Sequence, residues 1–96
     1  MRGFRKMPKV LLTEAEREQD KVFKRMDKFD AVVTEYLRST RSTIEILAER
    51  IGVDPSTLWR YRRQIKYFQK APFDVICKIL KLANVSNETL RFICGL

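Results

Sequence analysis

The tightest constraint in this 96-residue chain lies between residues 44 and 63, in the segment IEILAERIGVDPSTLWRYRR. Ile44, Leu47, Ala48 and Ile51 recur at helical spacing, and Gly52 then interrupts the pattern. A glycine at that point supplies the left-handed backbone that a tight turn requires. Val53 returns an apolar side chain to the interior, and Asp54-Pro55 opens a second helix with an N-cap residue and a first-turn proline. Two short helices crossing steeply need a small residue where they approach, a turn residue and an apolar plug between them. Ala48, Gly52 and the group Leu47, Ile51, Val53 and Leu58 meet those needs in order, with Tyr61 continuing the inner side. The segment therefore reads as a helix-turn-helix, and it leaves Ser56, Thr57, Trp59, Arg60 and Arg63 directed outward.

The flanking sequence supplies more helices. Leu12, Ala15, Gln19, Val22, Met26, Phe29, Val33 and Tyr36 recur at alternating steps of three and four, behind a Thr13–Glu16 capping box. Two arrangements satisfy that stripe: one helix running to about Arg38, or two helices broken near Lys28 with Asp30 as the second N-cap. The stripe can pack on its own domain or pair with a second copy as a coiled coil. Ser39 to Ser42 forms a polar turn, and Thr43 caps the first helix of the helix-turn-helix. Residues 64 to 71 form a basic, aromatic connector, after which Pro72 starts a helix with Phe73, Ile76, Cys77, Leu80 and Ala83 inward and Asn84 at its end. Ser86, with Thr89 and Leu90, begins a last short helix that offers Leu90, Ile93 and Leu96 to the core. With no strand pattern and no repeat, the class is all-α.

Charge narrows the function. Residues 54 to 70 hold Arg60, Arg62, Arg63, Lys66 and Lys70 against Asp54 alone, which is half of the net charge of +8. Such a density suits a polyanion and would be wasted on a neutral partner. A chain this short buries a modest core and leaves no room for a large substrate cavity. It has no histidine and only three glycines, so the usual acid–base and phosphate-cradling parts of an enzyme are missing and neither enzymatic activity nor a cofactor is expected. Cys77 and Cys94, the two cysteines, sit in apolar stretches and read as small core residues. No apolar run approaches the roughly 18 residues needed to cross a bilayer, and Val10-Leu11-Leu12 is too short for a secretory leader. A cytoplasmic protein without a membrane partner is the expectation.

Through LAERIGVDPSTLWRYRR, and further on through ILKLANVSNETL, the chain resembles the lambda-repressor-like (Cro-type, XRE) helix-turn-helix family. The resemblance covers about residues 30 to 92. It implies a five-helix lambda-repressor-like DNA-binding domain, here with an extra N-terminal helix, that binds double-stranded operator DNA as a homodimer. The corresponding organisation is a basic tail over 1–12, an N-terminal helical extension over 13–29 and a helix-turn-helix DNA-binding domain over 30–96. By the same resemblance Asp54, Pro55, Ser56 and Arg60 fall on the base-facing start and middle of the recognition helix, and Trp59 and Arg63 flank it. Thr43, Gln64 and Lys66 fall where the family grips phosphates.

Chemistry assigns these residues different work. The planar fork of Arg60 can span O6 and N7 of a guanine, and Ser56 and Thr57 can reach base edges or phosphates near a helix N-terminus. Arg62, Arg63, Lys66 and Lys70 would act mainly on the phosphate backbone. Trp59 either contacts DNA or packs on Tyr67 and Phe68 of the connector, and the tail bearing Arg2, Arg5, Lys6 and Lys9 is either a minor-groove arm or a solvated terminus. The expected function is a transcription regulator, most simply a repressor, with no small-molecule effector. The rival is a helix-turn-helix protein-interaction module, such as an antitoxin or a mobile-element accessory factor.

Overall fold

A computed structural model describes residues 14–96, and six helices but no strand occur among them. Helix α1 (Glu14–Thr40) is followed by α2 (Ile44–Ile51), α3 (Pro55–Arg63), α4 (Ile65–Lys70), α5 (Phe73–Leu82) and α6 (Asn87–Cys94). The chain is all-α, as its periodicities imply. The basic tail and the Thr13 cap lie outside the described residues.

Helix α1 settles the ambiguity in the N-terminal stripe. It runs unbroken through Lys28, and Asp30 sits within it instead of capping a second helix. Val22, Met26, Phe29 and Val33, spaced by four, three and four, are buried in the chain's own core, so this part of the stripe is occupied without a second copy. The first two turns, with Ala15 and Gln19, are exposed on every side. A 27-residue helix is about 40 Å long at 1.5 Å per residue, and the principal extents are 51 × 26 × 25 Å. Against α1 pack α3, α4 and α6, while α2 bridges α3 and α5. Arg25 ties α1 to α6: its Nε donates to the Ile93 carbonyl at 3.0 Å, placing a cation near a helix C-terminus.

The core is one cluster, with Phe29, Leu47, Leu58, Ile79, Leu80 and Ile93 among its fully buried members. Every described residue in the buried class is apolar.

Three local features depart from the sequence reading. The connector at 64–71 contains helix α4, because Gln64 adopts an extended backbone (φ −123°, ψ 114°) that ends α3 and starts a new turn. The Gln64 carbonyl then accepts from the backbone N–H groups of Tyr67 and Phe68. Tertiary contact holds this six-residue helix: Phe68 is buried with its ring centroid 5.8 Å from that of Phe29. In α5 the buried face is Ile76, Ile79 and Leu80, so Phe73 turns outward and Pro72 becomes the N-cap. Leu96 is exposed beyond the left-handed C-cap Gly95, leaving Ile93 as the buried member of the last helix.

The α2–α3 turn forms as its residues dictate. Gly52 has φ 90° and ψ 29°, and the backbone N–H groups of Gly52 and Val53 both donate to the Ala48 carbonyl, at 2.8 and 3.0 Å. A Cβ at Gly52 would meet nothing within 4 Å, so the glycine is needed for its backbone angle and not for space. Gly52→Ala is expected to lower stability by about 1 to 2 kcal/mol, a fall in Tm of about 4 to 8 °C per kcal/mol for a domain of this size, with the helical circular dichroism of the native state unchanged.

Candidate nucleic-acid interface

Helix α3 is oriented by what it buries. Leu58 is wholly buried and Tyr61, one turn on, is half-buried. At 3.6 residues per turn, Ser56, Arg60 and Arg63 project within about 40° of the direction opposite Leu58, and Thr57 and Trp59 lie on the two flanks. Ser56, Trp59, Arg60 and Arg63 are exposed, Trp59 by half its surface, and Thr57 is partly covered. An outward strip of one hydroxyl and two guanidiniums, with an indole beside it, is the result.

Past the end of α3, Gln64 at the junction and Lys66 and Lys70 on α4 are exposed as well, so both helices carry exposed cations. Asp54 occupies the N-cap of α3 in extended backbone, with its carboxylate exposed and no side-chain cap hydrogen bond, and Pro55 is half-buried at the first turn. Thr43 stands apart from this group, at the start of α2. Its hydroxyl oxygen accepts from the Ile46 backbone N–H at 3.3 Å, which leaves the hydroxyl proton available to an outside acceptor.

Arg62 belongs to a different surface. Four residues after Leu58, it points inward toward α1, where its Nε donates to Asp30 Oδ1 at 2.7 Å and Nη2 donates to Thr34 Oγ1 at 3.2 Å. The two side chains of the ion pair are only 13% and 21% exposed. Arg62 is therefore not a phosphate contact; it fastens the C-terminal end of α3 to α1. The i to i+4 spacing from Leu58 is the signal in the sequence that marks it as inward, and Asp30 and Thr34, also four apart, form the matching face of α1.

The aromatic residues divide similarly. Phe68 is taken by Phe29, and the Tyr67 ring faces the Arg60 guanidinium, whose central carbon lies 5.6 Å from the ring centroid. The sequence offers Tyr67 only as a packing partner of Trp59, whereas the ring contact it makes is with Arg60. A spacing of seven from Arg60 would share a face in one unbroken helix, but the extended backbone at Gln64 separates the two residues onto different helices, so the contact depends on how α4 is placed.

Other chemistry is sparse. No group of three or more potential metal-ligating side chains converges among the described residues. Cys77 and Cys94 are both reduced and half-buried. Burial pushes the Cys94 thiol above its ordinary range and the neighbouring Cys77 adds to this, with Arg25 opposing, so little of it is thiolate at neutral pH. No described helix is long and apolar enough to cross a membrane. No family model, curated protein or solved structure matches the chain.

Asp30→Ala leaves the Arg62 guanidinium inside the α1–α3 contact without its counter-charge. A loss of about 1 to 3 kcal/mol in chemical denaturation is expected, and joint replacement of Asp30 by Leu and Arg62 by Met should recover most of it.

Proposed function

We propose that this chain is a sequence-specific DNA-binding protein that lays α3 in the major groove, with Arg60 reading bases and Arg63, Gln64, Lys66 and Lys70 on the phosphates. The observation that carries this reading is the outward strip of α3: Ser56, Arg60 and Arg63 stand exposed on a helix whose other side is anchored by Leu58 and by the Arg62–Asp30 pair. A rigid helix with cations and a hydroxyl on its free face matches the width and the donor–acceptor code of the major groove. The resemblance of the α2–α3 segment to lambda-repressor-like proteins supports the same conclusion and suggests a transcription regulator, most simply a repressor.

Thr43 and the α3 N-terminus, with Ser56 and Thr57, supply donors for phosphate oxygens in this scheme. A single module of this size covers only about 600 to 1,000 Å² of protein surface on DNA. Tight selective binding therefore calls for two copies on two half-sites, and the chain is proposed to act as a homodimer. Light scattering with and without the selected duplex tests that part: two chains per site are expected, and one chain per site excludes the dimer.

Selection of bound sequences from random duplex DNA, at two salt concentrations, tests the reading as a whole. A defined site should emerge, and Arg60→Ala should cost about 1 to 3 kcal/mol at one base position. Lys66→Ala should weaken binding to all sequences alike and reduce the salt slope by about one unit. DNA affinity untouched by both substitutions would instead favour a module that binds a protein partner through the same exposed helix, with Trp59 at its centre.

A further inference from the structure

Arg60, the side chain suited to reading a base, is held by a neighbour. Its guanidinium lies over the Tyr67 ring, 5.6 Å from the centroid. Tyr67 is carried on α4, and Gln64 couples α4 to α3 through the backbone. The Gln64 N–H donates to the Arg60 carbonyl at 2.9 Å, and the Gln64 carbonyl accepts from the Tyr67 N–H at 3.0 Å. The ring is thus mounted on the end of the helix that bears Arg60, and Phe68, the next residue, is buried and fixes α4 from below.

A cation over a ring face is attracted by the electron density of the ring without forming a hydrogen bond, so the N–H donors of the guanidinium remain unspent. A free arginine must order several torsions before it can present two parallel donors to one base, and prior ordering lowers that cost. Neutralising a phosphate requires no such alignment, because charge attraction is largely indifferent to the orientation of the plane. Arg63 and Lys66 have no ring contact among the described residues. The ring contact therefore distinguishes Arg60 from the cations around it.

We propose that Tyr67 is a positioning residue for base readout: its ring holds the Arg60 guanidinium so that the donor edge selects guanine in the major groove. The inference rests on the DNA-binding reading above and assigns to α4 a share in its specificity. Tyr67 itself need touch no base, and its effect is confined to the base pair that Arg60 meets.

The test compares the wild-type chain with Tyr67→Ala, Tyr67→Phe, Arg60→Lys and Arg60→Ala. Each is measured on the duplex selected by the wild-type chain and on the same duplex with the Arg60-dependent guanine replaced, at two salt concentrations. The wild-type chain and Tyr67→Phe should share the same guanine preference, Arg60→Lys should reduce it, and Arg60→Ala should abolish it. Tyr67→Ala should keep the salt slope and the preferences at all other positions, and lose about 2- to 5-fold of the preference for that guanine. Full preference in Tyr67→Ala overturns the proposal, because the ring contact is then idle. Uniform weakening across sequences also overturns it, as the mark of a phosphate contact, and so does Tyr67→Phe behaving like Tyr67→Ala, which would assign the effect to the hydroxyl. Circular dichroism of each variant reports whether the fold is kept, and Tyr67→Phe retains the ring should alanine unfold the chain. A wild-type chain that binds no DNA is a distinct result, since it removes the underlying reading along with this one.

Discussion

Rotation of α3 about its own axis decides which of its side chains meet solvent, and the burial of Leu58 sets that rotation. A leucine without exposed surface cannot turn outward without opening the core and forfeiting a few kcal/mol of apolar burial and packing. The Arg62–Asp30 pair adds a second, directional restraint one turn further along. An apolar anchor and a charged anchor on the same side of a nine-residue helix leave it little freedom to roll. Ser56, Arg60 and Arg63 are exposed because Leu58 and Arg62 are not.

Helix α1 supplies what both anchors need. Its buried stripe lines the core that α3 leans on, while Asp30 and Thr34 offer polar atoms to Arg62 and Arg25 reaches the end of α6. An N-terminal element that begins as a solvated projection thus ends as the platform for the exposed helix. This division along one helix explains why its charges differ in meaning. Lys21 and Lys24 pair with Glu18 and Asp20 on an open surface, where such pairs contribute little, whereas Asp30 is enclosed and its pairing matters.

Much of this was legible in the residues. The α2–α3 turn was readable because three residues with strong backbone preferences, Gly52, Asp54 and Pro55, fall in succession at the junction of two apolar stripes. Ser86 as a helix start and Asn84 as a stop were readable for the same reason, and Asn84 does take a positive φ of 56°. Helix α4 was not, since Ile65 and Phe68 are too few apolar positions to show a period and Phe29, against which Phe68 packs, is remote in the chain. Helical spacing places Phe73 on the inward face of α5, and Leu96 follows Leu90 and Ile93 along the last helix, but both stand at or beyond the ends of their helices. Both are exposed: Phe73 is the first residue of α5, whose buried face is Ile76, Ile79 and Leu80, and Leu96 lies beyond the C-cap of α6.

The helical class, the turn between α2 and α3 and the concentration of positive charge over residues 54 to 70 follow from residues within a few positions of one another. The partner that each of those charges finds depends on tertiary packing. Arg62 is drawn inward by an aspartate 32 positions away, Arg60 is placed against a tyrosine beyond a bend in the backbone, and Arg63, Lys66 and Lys70 are left to solvent. Local preferences act through backbone angles and nearest turns, whereas the partner of a long, flexible cation is chosen by which helix is packed beside it.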